Sequence, residues 1–111
     1  MSLEFKKGDI LFGRYGSEAI HPIVFFYNID HSFFCGVMLT SKKIGENIPL
    51  SNDFIKESFR FKYKNTHFVK SALLKKTEWV PFKKIGEITD EGITFIESHI
   101  DLSKPLLWEE Y

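Results

Sequence analysis

The chain has 111 residues, twelve of them Phe, with one Cys and no net charge; that is enough for one modest core and too apolar for a disordered chain. No apolar run approaches the ~20 residues of a membrane helix, and Met1 to Lys6 lacks the apolar core of a secretory leader. The lone Cys35 has no partner for an internal disulfide, so the expectation is one domain over residues 1–111 in a reducing cytoplasm, with no membrane partner.

The charge is uneven. Residues 1–76 carry twelve Lys/Arg against seven Asp/Glu, a balance of +5, and residues 77–111 carry three against eight, a balance of −5. A basic body suits an anionic partner and an acidic end suits shielding that surface, although plain solvation gives the same distribution.

Gly8 to Phe12 reads as a first strand, with Ile10 and Phe12 alternating with Asp9 and Leu11. A polar loop carrying Arg14, Ser17, Glu18 and His21 follows, and loops on a rigid scaffold are where function concentrates. Ile20 to Tyr27 is a second strand, apolar on both faces, and Pro22 belongs near its start because proline cannot donate to an interior ladder. After a turn over Asn28 to Ser32, Phe33 to Thr40 makes a third strand. A second polar loop, Ser41 to Glu46, leads to a short strand over Asn47 to Ser51, weakened by Pro49.

Asn52-Asp53 predicts the cap of one helical turn over Phe54 to Ser58. Phe59 to Lys64 alternates strictly, with Phe59, Phe61 and Tyr63 on one face and Arg60, Lys62 and Lys64 on the other, which is the period of a strand. Thr66 to Leu74 continues the sheet, and Trp79 to Phe82 reads as another short strand. Thr89 predicts the N-cap of a last helix, with Asp90 and Glu91 at its positive end and an Ile93, Ile96, Ile100 stripe for the core. Gly92 weakens that helix by about 1 kcal/mol relative to Ala, and Pro105 marks its stop. Leu106 to Tyr111 is apolar and then acidic, with no evident place in the core; residues 103–111 are expected as a flexible tail. The fold class is therefore mostly β with a C-terminal helix, its short strands closing into a small barrel.

Four pieces in this order carry a resemblance: Lys7-Gly8-Asp9-Ile10, Gly16-Ser17-Glu18-Ala19-Ile20-His21-Pro22-Ile23-Val24, Val37-Met38-Leu39-Thr40-Ser41, and Lys84-Ile85-Gly86-Glu87-Ile88-Thr89-Asp90-Glu91. Together they resemble the MazF/PemK family of toxin ribonucleases. The resemblance implies an SH3-like small barrel of the MazF/PemK/CcdB type, a homodimer, and metal-independent cleavage of single-stranded RNA. It also implies an antitoxin protein whose acidic tail covers the RNA groove. In the family, the Arg before Pro and the Thr ending the third strand carry the chemistry. Thr40 matches the Thr, and His21 stands where the family has Arg. Lys70-Ser71 stand near the place of the family's Asp-Gln-like pair, and Asp53 to Tyr63 is an elaboration.

Cutting RNA through its own 2′-hydroxyl needs a base, a cation to steady the phosphorane, and an acid for the leaving 5′-oxygen. His21, with an ordinary pKa of about 6.5, can be base or acid. Arg14 or Lys42 would then supply the cation, and Thr40 would position a phosphate oxygen or the 2′-hydroxyl. Candidate substrate contacts are Ser17, Glu18, Ser41 and Lys42 in the loops and Arg60, Lys62 and Lys64 on the basic strand face. Plainer roles stand beside each of these: a strand-edge histidine, a β-branched strand end, a solvated loop acid, solvated lysines. His67 could be a second acid or base but reads more simply as a half-exposed strand residue, and Cys35 reads as packing. The scattered histidines offer no metal-ligand spacing, and no phosphate-binding glycine loop is present, so neither metal nor cofactor is expected. The alternative is a catalytically inactive relative that binds RNA or a protein; a purely structural dimer module is the third class.

Overall fold

The structure, a computed structural model, describes residues 4–12, 14–15, 18–19, 22–30, 33–40, 45–56, 66–76 and 83–107. The strands are β1 (Asp9–Phe12), β2 (Arg14–Tyr15), β3 (Glu18–Ala19), β4 (Ile23–Asn28), β5 (Phe33–Thr40), β6 (Ile48–Pro49), β7 (His67–Lys76), β8 (Lys83–Glu87) and β9 (Leu106–Leu107). One helix, α1 (Asp90–Glu97), precedes β9, and a 3-10 turn spans Asn52–Phe54. Six strands form an open antiparallel sheet in the order β6-β7-β5-β4-β1-β8; β9 adds to β7 in parallel, and β2 and β3 form a separate hairpin. No described helix is long and apolar enough to cross a membrane.

The apolar runs become the central strands because only there are both faces of a strand covered. In β4, Ile23, Val24, Phe25 and Phe26 are all buried, as are Phe34 to Thr40 in β5. Alternation sorts them into two clusters. Ile10, Val24, Cys35, Val37, Leu39 and Phe68 face α1 and pack with Ile96. Leu11, Ile23, Phe25, Phe34, Met38 and Val69 form a second cluster on the opposite face. Gly36 leaves no room for a side chain: a Cβ there would run into Ile23 Cγ2.

A one-residue register shift between Phe25 and Tyr27 turns Tyr27 opposite Cys35. Its hydroxyl then donates to the Leu102 carbonyl at 2.6 Å, fastening the segment after α1 to β4. Pro49 is tolerated because β6 is an edge strand, which needs no outward donor. Beyond β6 the chain makes one antiparallel bridge, Ile55 with Ile88, and Lys56 N–H donates to the Glu87 carbonyl at 2.9 Å. That bridge links the two ends of the open sheet.

Several expectations need correction. The turn after β6 starts at Asn52 and is capped by Ser51, whose hydroxyl accepts from Asp53 N–H, so Asn52-Asp53 are inside it rather than capping it. Lys83–Glu87 is a strand that its lysines and glycine conceal in the sequence. Thr89 caps α1 as expected, accepting from Gly92 N–H at 3.1 Å. Gly92 is no mere weakness, since a Cβ there would meet Ile88 Cγ2 at 2.5 Å and Phe54 Cβ at 2.7 Å. The helix stops at Glu97, well before Pro105. Ser98 Oγ and the His99 ring N–H both donate to the Phe95 carbonyl, at 2.7 and 2.8 Å, and such local bonds compete with further helix. Leu106 and Leu107 pair in parallel with Leu73 and Leu74, although Leu106 stays exposed and outside the core as expected. The alternating stretch Phe59 to Lys64 and the strand expected over Trp79 to Phe82 lie outside the described residues.

Candidate functional site

The described part of the site is built around Thr40, the last residue of β5. Thr40 is buried, and its register partner on β7 is His67. Directly opposed residues on antiparallel strands point to the same face. Alternation from Met38 and Val69 puts both side chains on the face away from α1, at the end of the second apolar cluster.

His67 was expected to be half-exposed. It is 6% exposed, because β7 is flanked at this point on both sides: Thr40 of β5 opposes it on one, Pro49 of β6 on the other. Its burial is decided by partners far away in sequence. Thr66, which sequence reasoning did not single out, is 3% exposed. Neither His67 Nδ1 nor Thr66 Oγ1 has a hydrogen-bond partner among the described residues. Leaving a buried polar group unsatisfied costs about 1–3 kcal/mol, so such groups in a native fold ask for an explanation.

Asp9 is the contrasting case. It is as deeply buried, and its Oδ1 likewise makes no hydrogen bond among the described residues, yet Oδ2 accepts from Lys6 N–H at 2.9 Å and Oδ1 lies 3.2 Å from the cationic Lys84 Nζ. Lys84 also reaches Glu87 at 3.6 Å, and Glu87 pairs with Lys56 at 3.5 Å. This is a supported ion-pair network at the other side of the sheet.

On the β4 side, Leu39 N–H donates to the Pro22 carbonyl at 2.8 Å, and Ile23 opposes Met38. The chain leading into β4 is thereby held against the end of β5. His21, next to Pro22 in sequence, lies outside the described residues, as do Ser17, Ser41, Lys42, Arg60, Lys62 and Lys64. Arg14 and Glu18 belong to the β2–β3 hairpin, where Arg14 opposes Ala19 and Tyr15 opposes Glu18.

Cys35 is buried beside Tyr27 and the Leu102 carbonyl. Burial pushes its thiol pKa up, against a smaller lowering by the Tyr27 hydrogen bond. Burial likewise pushes the Tyr27 hydroxyl up, with further contributions from Cys35 and Asp101. A thiol kept protonated is a poor nucleophile, which agrees with a packing role. His99 rests against Phe95 and Phe68, at centroid distances of 4.6 and 6.1 Å. Among the described residues no three His, Cys, Asp or Glu side chains converge as a metal site.

The arrangement brings together the His67 imidazole, the Thr40 side chain and the adjoining lead-in to β4. No protein-family model matches the chain, and no curated protein matches it.

Proposed function

We propose that the chain is a metal-independent endoribonuclease of the MazF/PemK type, cutting single-stranded RNA through the 2′-hydroxyl. The observation that carries this reading is the Leu39 to Pro22 hydrogen bond at 2.8 Å. It joins two of the motif pieces, the stretch ending His21-Pro22-Ile23-Val24 and the stretch Val37 to Ser41, on neighbouring strands. The two residues assigned the chemistry, His21 and Thr40, are each one peptide bond from that contact. In this reading His21 is the acid or base, Thr40 positions substrate, and Arg14 or Lys42 steadies the phosphorane. Ser17, Glu18, Ser41, Arg60, Lys62 and Lys64 hold the strand. The Ile55–Ile88 bridge between the ends of the sheet supports the SH3-like barrel of that family. A homodimer, an antitoxin partner and a cytoplasmic site of action belong to the same proposal.

One observation favours a second reading, an inactive relative that binds RNA or a protein: histidine stands where the family has its arginine. A single experiment separates the two. Purified protein is incubated with a long single-stranded RNA and EDTA beside His21→Ala. Fragments with 5′-hydroxyl ends, lost in the variant, support the enzyme. RNA left intact by both proteins rejects the enzyme in favour of the binding module.

A further inference from the structure

We infer that His67 is the proton acceptor of this site, taking the proton of the attacking 2′-hydroxyl while Thr40 holds the phosphate beside it. The inference rests on the endoribonuclease reading above and names a residue that the motif pieces do not contain.

The chemistry needs a second proton carrier. As the 2′-oxygen bonds to phosphorus, its proton must leave; as the phosphorus–5′-oxygen bond breaks, that oxygen must gain one. One imidazole cannot be unprotonated for the first transfer and protonated for the second in the same step. With His67 taking the 2′-hydroxyl proton and His21 giving one to the 5′-oxygen, the products are a 2′,3′-cyclic phosphate and a 5′-hydroxyl. The imidazolium of His67 and the imidazole of His21 then re-equilibrate with water.

His67 meets a geometric requirement that His99 does not. It stands directly across from Thr40 on the same face, and opposed residues of an antiparallel pair bring their Cβ atoms within about 4.5–5.5 Å. Its Nδ1 is buried with no hydrogen-bond partner among the described residues, whereas a histidine kept for structure uses its ring nitrogens, as His99 does on the Phe95 carbonyl. The residues facing it are Thr40 from β5 and Pro49 from β6, neither of them charged. β5 lies between β7 and β4, so Thr40 has His67 on one flank and the Pro22 lead-in, next to His21, on the other. A phosphate at Thr40 would lie beside His67.

The test compares wild type with His67→Gln on two RNAs in EDTA, one normal and one with sulfur replacing the bridging 5′-oxygen. Sulfur leaves without a proton, so this substrate rescues the loss of an acid but not of a base. The expected result is a fall of about 100-fold or more on both substrates, with KM little changed. Rescue by the sulfur substrate overturns the assignment as acceptor, and a rate within threefold of wild type overturns any role. Should His67→Gln fail to fold, nitrogen-15 spectra of the wild type decide. Nδ1 of His67 must shift when a non-cleavable 2′-O-methyl oligonucleotide saturates the protein, and an unmoved resonance rejects the inference. A wild type that leaves normal RNA intact overturns the enzyme reading itself, and this inference with it.

Discussion

On the face that α1 covers, Ile10, Val24, Val37, Leu39 and Phe68 pack with Ile96, and the nearby polar groups are used at the ends of the helix. Thr89 Oγ1 takes the Gly92 N–H, and Ser98 and His99 take the Phe95 carbonyl. On the opposite face, an apolar cluster of Phe25, Phe34, Met38 and Val69 runs out into Thr40 and His67, where Nδ1 has no partner among the described residues. The first face buries apolar side chains against the helix. The second carries at one end a group that raises the free energy of the fold. Sequences break their own packing rules mostly where something other than stability is served.

Mutations in the packed and ion-paired parts of the fold should cost stability in proportion to what they remove. Phe68→Ala empties the ring that meets Phe95 edge-on at 6.0 Å, and should lower the unfolding free energy by about 3–5 kcal/mol in urea titrations. A loss under 1 kcal/mol would mean that the helix does not seal this core.

Lys84→Met should cost less, about 1–3 kcal/mol, because it strips the cation from buried Asp9. Adding Asp9→Asn to that variant should return part of the loss, since the uncompensated charge is then gone. An additive double mutant would show that the pair contributes nothing jointly.

Thr89→Ala removes one cap and should cost about 1 kcal/mol, read as a shift in the urea midpoint with unchanged slope. The smallest effect is alkaline. Burial raises the pKa of Cys35 and Tyr27, so the fold favours their protonated forms. Their contribution is complete below the thiol's ordinary value of 9.0 and fades as pH rises through it and past the tyrosine's 10.0. Melting temperature should fall from pH 9 to 11, and Cys35→Ala should flatten the first part of that fall.

Much of the scaffold was legible in the sequence because it rests on local signals. The run Phe33 to Thr40 became β5 at the expected bounds, and Thr89 with Asp90 and Glu91 opened α1 as a cap and acidic first turn should. What was not legible depends on distant partners. Gly92 reads as a helix weakness until Ile88 and Phe54 are seen against it. Lys83–Glu87 has weak strand character by itself and is held by pairing with β1. Leu106-Leu107 finds its partner at Leu73-Leu74, more than thirty residues earlier. At the candidate site, Thr40 was picked out by its motif, but His67 was read as half-exposed. Its sequence neighbours Asn65 and Thr66 are polar, and it is flanked by β5 and β6, which the sequence around it does not announce.

The most direct test of the contrast between the two faces is His67→Leu, assayed for stability and for RNA cleavage on the same preparation. Leucine fills the buried place without an unpartnered nitrogen. The account predicts an unfolding free energy within about 1 kcal/mol of wild type or above it, with cleavage reduced about 100-fold or more. A variant that loses more than about 2 kcal/mol while cutting RNA at the wild-type rate would show that His67 serves the fold and not the chemistry.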